Sequence, residues 1–211
     1  MTSSVELLKK VNQYYSDKIK KYGATPAGVD WNSKESQYLR FIQLGKVISV
    51  EKFSLLDFGC GYGAFLDYLT KGNDKGFHYT GYDISDEMLD KAKETFKSHV
   101  GKPIFTNKIP KNKFDFVIAS GIFNVKPEHT NNEDWYKYIL EHINIFAKLS
   151  NRGFAFNVLT SYSDEEFKKD YLYYANPMEI FHYIKQNISR NVAVLHDYNL
   201  YEFTIIVREI A

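Results

Sequence analysis

Cysteine is almost missing from this 211-residue sequence. Cys60 stands alone, which excludes an internal disulfide and suits a reducing compartment. Long apolar runs are missing too: none approaches the roughly 20 residues that span a bilayer. Met1 to Lys10 lacks the apolar centre of a signal peptide. A soluble, cytoplasmic chain with no membrane association is expected. Excess charge of either sign is also absent. With 27 Lys and Arg against 26 Asp and Glu, the formal net charge is +1. No global positive field is there to draw nucleic acid or anionic lipid, so no nucleic-acid partner is expected. No histidine–carboxylate grouping has metal-site spacing, and no metal is expected. Internal repeats, low-complexity tracts and linkers are likewise missing.

What is abundant is aromatic: 17 Tyr and 16 Phe bring the aromatic share to 17%. A Tyr-rich core and an aromatic-walled pocket both fit that figure. The length suits one domain, with or without a terminal extension. Val5, Leu8, Val11, Tyr15, Ile19 and Tyr22 recur at helical spacing. Gly23, Pro26 and Gly28 end that helix, and a second is predicted from about Ser33, its N-cap, to Val47. Residues 1–50 thus read as a helical extension or lid packed on a core of residues 51–211.

Within the core the pattern alternates. Strands are predicted at Phe53 to Phe58, Phe77 to Asp83, Pro103 to Thr106, Phe114 to Ser120 and Gly153 to Leu159. Between them lie helices at Ala64 to Lys71 and Ser85 to His99, and a helical stripe of Trp135, Ile139, His142, Phe146 and Leu149. Asn176-Pro177 reads as N-cap and first turn of a helix to about Gln186. Val192 to Leu195 and Tyr201 to Val207 form a closing hairpin. The whole implies a doubly wound α/β fold: a seven-stranded, mostly parallel sheet, one antiparallel strand near the C-terminus, helices on both faces. Ligands of such sheets bind beyond the carboxyl ends of the strands.

Asp57-Phe58-Gly59-Cys60-Gly61-Tyr62-Gly63 sits at one of those ends, between a strand and a helix. Bare backbone there lets a ligand lie close, although a tight turn alone would also use glycines. Asp83 ends the second strand 20 residues after Gly63. A carboxylate so placed accepts both hydroxyls of a ribose. Glycine loop and acid together indicate an adenosine ligand, and Gly59, Gly61 and Ala64 satisfy a relaxed dinucleotide pattern as well. Asp57 discriminates. A pyrophosphate gains nothing from a carboxylate beside the helix N-terminus, whereas an ammonium is attracted by it. The reading favours an amino-acid-bearing nucleoside over NAD.

These segments carry a family resemblance. Leu55 to Gly63 is similar to motif I of the class I, Rossmann-like S-adenosylmethionine-dependent methyltransferases. Tyr82-Asp83-Ile84-Ser85 with Met88-Leu89 resembles their second motif, and Phe114 to Ser120 their fourth strand. The resemblance spans roughly Leu55 to Leu159. It implies S-adenosylmethionine (SAM) as cofactor and S-adenosylhomocysteine (SAH) as product. It implies that Gly59, Gly61 and Gly63 contact the cofactor through backbone, with Asp57 serving the ammonium, Asp83 the ribose and Ile84 the adenine. Ser120, ending the fourth strand, joins that group. Many members place an Asp after the third strand on the adenine amino group; here Asn107 stands nearby. Arg40, a helix and a turn before Asp57, is placed where related enzymes hold the cofactor carboxylate.

The resemblance implies methyl transfer, and the residues narrow the acceptor. Nucleic-acid amino methyltransferases carry a Pro-Pro-aromatic motif at the fourth strand; here it reads Ser120-Gly121-Ile122-Phe123. Cytosine-C5 enzymes need a cysteine there. A small molecule, methylated on O or N, is the expected substrate. Trp31, Phe123, Asn124, Asn157, Tyr173 and Tyr174 are candidate substrate contacts. His129 and His196 are candidate bases. A non-catalytic SAM-binding or scaffold protein of this fold is the alternative, with an NAD-type oxidoreductase behind it.

Overall fold

In the computed structural model the described residues are 4–23, 25, 33–72 and 76–208. Helices α1 (Ser4–Tyr22) and α2 (Lys34–Gly45) precede β1 (Phe53–Phe58), α3 (Ala64–Gly72), β2 (Phe77–Tyr82), α4 (Asp86–Phe96) and β3 (Ile104–Thr106). There follow β4 (Phe114–Ala119), α5 (Asn132–Leu149), β5 (Ser150–Leu159), α6 (Pro177–Asn187), β6 (Asn191–Leu195) and β7 (Glu202–Arg208).

The seven strands form one sheet in the order β3-β2-β1-β4-β5-β7-β6. β1 pairs parallel with β2 and β4, while β7 runs antiparallel between β5 and β6. The doubly wound sheet with one antiparallel strand is therefore the observed fold. The chain reverses direction across the sheet between β1 and β4, the switch point where such folds bind ligands.

Side-chain alternation divides the core. Phe53 and Leu55 join Phe41 and Leu44 of α2 and Phe65 and Leu66 of α3 on one face. Leu56 and Phe58 join Trp135, Ile139 and Phe146 of α5 and Ile180 and Ile184 of α6 on the other. Strands buried on both sides read as near-continuous apolar runs, as β1 and β4 do. The helix starts follow their caps. Ser33 accepts from the Ser36 amide, Ser85 from Met88, Asn131 from Asp134 and Asn176 from Met178, with Pro177 in the first turn of α6.

One feature departs from the sequence expectation. β5 starts three residues early, at Ser150, because Ser150 pairs with Phe114 across a register shift in β4. More consequential for the site is the β3–β4 connection, residues 107–113, where the sequence predicts no helix. It carries no helix, although parallel crossovers usually do. The α5 face of β1 and β2 thus lacks a crossover helix, and α1 lies against it instead. Val11 is buried in that core. Ser16 Oγ sits 3.3 Å from Ser85 Oγ and donates to Glu87 Oε2 at 3.1 Å, and Lys20 pairs with Glu87 at 3.3 Å.

Candidate cofactor site

A cavity opens at the carboxyl ends of β1, β2 and β4. Its rim holds Gly59 and Gly61 after β1, Asp83 and Ile84 after β2, and Ser120, Gly121 and Ile122 after β4. It deepens between α1 (Val11), the first turn of α4 (Met88), α5 (Tyr138 and His142) and the sheet residues Phe58 and Tyr82. The sequence brings together Gly59, Gly61, Asp83, Ile84 and Ser120, five of the residues expected to hold a cofactor.

The glycines serve the loop before they serve a ligand. Gly59, Gly61 and Gly63 all have positive φ, at 81°, 53° and 86°. That region disfavours residues with a Cβ. A Cβ on Gly59 would lie 2.3 Å from Ile122 Cγ2, and one on Gly63 would lie 2.7 Å from the Phe96 ring. Gly63 therefore packs α3 against α4, and the ligand-approach argument rests on Gly59 and Gly61, which line the cavity.

Asp83 ties the loop to β2. Its Oδ2 accepts from the Gly61 amide at 2.8 Å, and its Oδ1 from the Ser85 amide at 2.9 Å. Burial raises its pKa, opposed by hydrogen bonds from the Ser85, Gly61 and Ile84 amides. Each carboxylate oxygen keeps further acceptor capacity toward the cavity.

Asp57 is 2% exposed and does not line this cavity. Its Oδ2 accepts from the Tyr79 hydroxyl at 2.6 Å. Burial raises its pKa to about 7, with the Tyr79 bond opposing and the nearby Asp83 charge adding to the rise. The folded state therefore holds a proton here that the unfolded chain has released above about pH 4. The resulting stability is full at low pH and is lost as pH rises toward 7. Relative to an Asp57→Asn variant, the wild-type thermal midpoint should fall by several degrees between pH 5 and pH 8. Parallel midpoint-against-pH curves for the two proteins would show that Asp57 does not titrate in that window.

Other expected residues lie elsewhere. Arg40 is buried, but its Nε sits 2.8 Å from Glu202 Oε1, away from the cavity lining. Asn107 is exposed, and its amide donates to Asp86 Oδ1 at 2.9 Å, so the adenine contact is not formed by this placement. His129, at φ 64°, and His196 are both exposed, and neither lines the cavity. The His196 ring packs near Tyr162 and Phe203.

The substrate candidates are mostly structural. Phe123 is fully buried among Phe146, Phe156 and His142, and its carbonyl accepts from Trp135 Nε1 at 3.0 Å. Asn124 Oδ1 accepts from the Leu159 amide at 3.2 Å. Asn157 is fully buried: its Oδ1 accepts from the Gly121 amide and its Nδ2 donates to Glu202 Oε1, both at 2.9 Å. Tyr173 is buried in the α5 face of the core, and the Tyr174 hydroxyl accepts from the Lys169 amide. None of the five lines the cavity. Trp31, with most of the 23–31 segment between α1 and α2, lies outside the described residues.

The residues that reading missed are Tyr82, Tyr138 and His142. They are 6%, 5% and 6% exposed, and all three line the cavity. Burial pushes the Tyr82 hydroxyl up to about 12 and lowers the His142 pKa, so both are neutral at pH 7. His142 had been counted in the apolar stripe of its helix. Its spacing places it correctly on the buried face, but spacing does not show that this face borders a cavity.

No helix among the described residues is long and apolar enough to cross a membrane. Comparison with known proteins agrees with the geometry. A family described as a methyltransferase domain matches residues 56–145. A Mycobacterium tuberculosis protein, provisionally designated methyltransferase Rv1506c, is 43% identical over 165 residues, covering 77% of this chain and 97% of that one. Magnesium protoporphyrin IX methyltransferase from Synechocystis PCC 6803, solved with bound SAM, is similar at a TM-score of 0.63 and 17% identity, with 99% of this chain and 100% of that one covered. Phosphoethanolamine N-methyltransferase 1 of Haemonchus contortus gives a TM-score of 0.66 at 10% identity, over 99% of this chain and 50% of that one. The switch-point cavity, the glycine loop and its β2 acid thus coincide with a sequence relationship that spans nearly the whole of the mycobacterial relative, and the chain belongs to the class I S-adenosylmethionine-dependent methyltransferases.

Proposed function

We propose that this methyltransferase modifies a small molecule, on oxygen or nitrogen, inside the cavity beneath α1. The observation that carries the reading is the cavity's form. Its lining is mostly apolar and aromatic with a few polar groups, as in small-molecule sites, and α1 contributes Val11 to it. A polymer would need an open, positively charged track, and the net charge of +1 offers no global field for one.

The residues fit the family's cofactor. Gly59 and Gly61 present bare backbone, Asp83 has acceptor capacity for a ribose diol, and Ile84 supplies an apolar surface for a ring. Ser120 Oγ is buried on the cavity lining without a hydrogen-bond partner among the described residues. A ligand group there would satisfy it. Bound SAM supplies an electrophilic methyl on a sulfonium. The chain's part is to hold the acceptor in line with that methyl and to exclude water. Val11 of α1 and Ile122 close the space from two sides. Asp57, behind the glycine loop, supplies negative potential to an ammonium at short range; ionised, it favours the cation, so binding should release protons near pH 7.

Incubation with methyl-labelled SAM tests the reading. A panel of small hydroxyl and amine compounds, set beside total RNA and protein, should yield label in small compounds alone. Label in RNA or protein would overturn the proposal. Cofactor binding with no turnover of any acceptor would favour the non-catalytic alternative.

A further inference from the structure

The inner half of the cavity has a chemistry that the cofactor does not account for. Its walls are the rings of Phe58, Tyr82, Tyr138 and His142, closed by Val11 and Met88. Phe58 and Tyr82 lie 4.6 Å apart by ring centroids, and Tyr138 and His142 lie 4.0 Å apart. Among the described residues the only carboxylate on the lining is Asp83, already engaged by two backbone amides. A cationic amine would find no dedicated counter-ion here. A flat, uncharged ring would find aromatic faces on several sides.

His142 sets the polarity of this chamber. Its Nδ1 lies 2.9 Å from the Tyr138 carbonyl oxygen. That oxygen can only accept, so Nδ1 carries the proton and Nε2 carries the lone pair. No hydrogen bond of Nε2, or of the Tyr82 and Tyr138 hydroxyls, is formed among the described residues. Three largely buried side chains on the cavity lining therefore keep polar groups that a ligand in the chamber could pair.

From this arrangement we infer that the chamber binds a hydroxylated aromatic acceptor and that His142 Nε2 is the catalytic base for its O-methylation. The inference rests on the small-molecule reading above and narrows it. The ring lies between Phe58, Tyr82 and Tyr138, with its hydroxyl directed to Nε2. In the transfer, a lone pair of the acceptor oxygen forms the new bond to the methyl carbon. The carbon–sulfur bond breaks, and its electron pair stays on sulfur as the neutral thioether of SAH. The hydroxyl proton passes to Nε2, and the imidazolium then releases it to solvent. Burial, which lowers the His142 pKa, keeps the ring neutral and able to accept at pH 7. The titratable groups around it are Tyr138 and Glu141 on its own helix and Tyr82 and Asp83 from the β2 side.

Two measurements test it. In the wild-type protein saturated with SAH, nitrogen NMR of His142 should show a neutral ring protonated on Nδ1, and added catechol should shift the Nε2 resonance. A ring protonated on Nε2, or an Nε2 signal that catechol leaves unmoved, would overturn the inference without any variant having to fold. The second is His142→Gln, with its fold checked by circular dichroism. SAH affinity should stay within about twofold of wild type, while catechol methylation should fall by about 10²–10⁴-fold and lose the acidic limb of its pH profile. A variant that keeps that limb and most of its rate removes His142 as the base. If amines alone are methylated, this inference fails while the small-molecule reading stands; if neither class is methylated, both fail.

Discussion

Asp83→Ala should weaken SAM and SAH binding by about 100-fold or more. Charge-assisted hydrogen bonds are worth about 1.5–3 kcal/mol each, so two lost ribose contacts account for about 3 kcal/mol at the least, and each 1.4 kcal/mol is tenfold in affinity. The loop adds to the loss. Asp83 also accepts from the Gly61 and Ser85 amides, so its removal frees the segment the nucleoside lies against. Asp83→Asn separates the two contributions. It retains one acceptor oxygen and should lose about tenfold. Calorimetric titration of SAH into the three proteins gives the series directly. An Asp83→Ala protein that binds within threefold of wild type would remove the carboxylate from the ribose.

The second large effect concerns stability, and it begins far from the cavity. Glu202 on β7 is fully buried; its Oε1 lies 2.8 Å from Arg40 Nε as an ion pair and accepts from Asn157 Nδ2 at 2.9 Å. That second bond fixes which way the Asn157 amide faces. With Nδ2 turned to Glu202, Oδ1 is left to accept from Gly121, the residue at φ 74° that turns the chain after β4. Burial raises the Glu202 pKa even with Arg40 beside it. Glu202→Ala removes the carboxylate that faces the buried Arg40 guanidinium. Breaking one partner of a buried pair costs about 3–5 kcal/mol, roughly a 10 °C drop in midpoint for a chain of this size. Replacing both charges, as Arg40→Met with Glu202→Leu, should restore much of the midpoint but not SAH affinity, because Asn157 still loses its orienting partner. A Glu202→Ala protein melting within 2 °C of wild type would show that the pair carries no such weight.

This network explains a specific limit of sequence reading. Arg40 is expected at the cofactor because it lies a helix and a turn before Asp57, and Asn157 at the substrate because it ends the fifth strand. The structure places them one layer behind the glycine loop. Arg40 reaches Glu202, which stands on a strand inserted between β5 and β6. A strand that enters the sheet out of sequence order leaves no local signal of its neighbours, so no spacing rule connects Arg40 to Glu202.

The parts that were legible are those with local causes. The Ser85 cap, the Asn176-Pro177 helix start and the positive φ values of the glycine loop each follow from one or two residues. The apolar runs of β1 and β4 follow from burial on both faces. His142 shows the opposite case. Its place on the inner face of α5 was visible, but its exposure to a cavity depends on a missing helix between β3 and β4 and on α1 lying across the gap. Both are properties of the assembled sheet. The histidines chosen instead, His129 and His196, were chosen because they follow strand ends, and both are exposed.

On the proposed reading, the rim of Gly59, Gly61, Asp83 and Ile84 holds the nucleoside, and the aromatic interior holds the acceptor. A crystal structure of the SAH complex tests that division most directly. The ribose hydroxyls should lie within hydrogen-bond distance of the Asp83 carboxylate, with the space between Tyr82, Tyr138 and His142 still open. A complex in which the adenine fills that aromatic space, or in which the nucleoside makes no contact with Asp83, would contradict it.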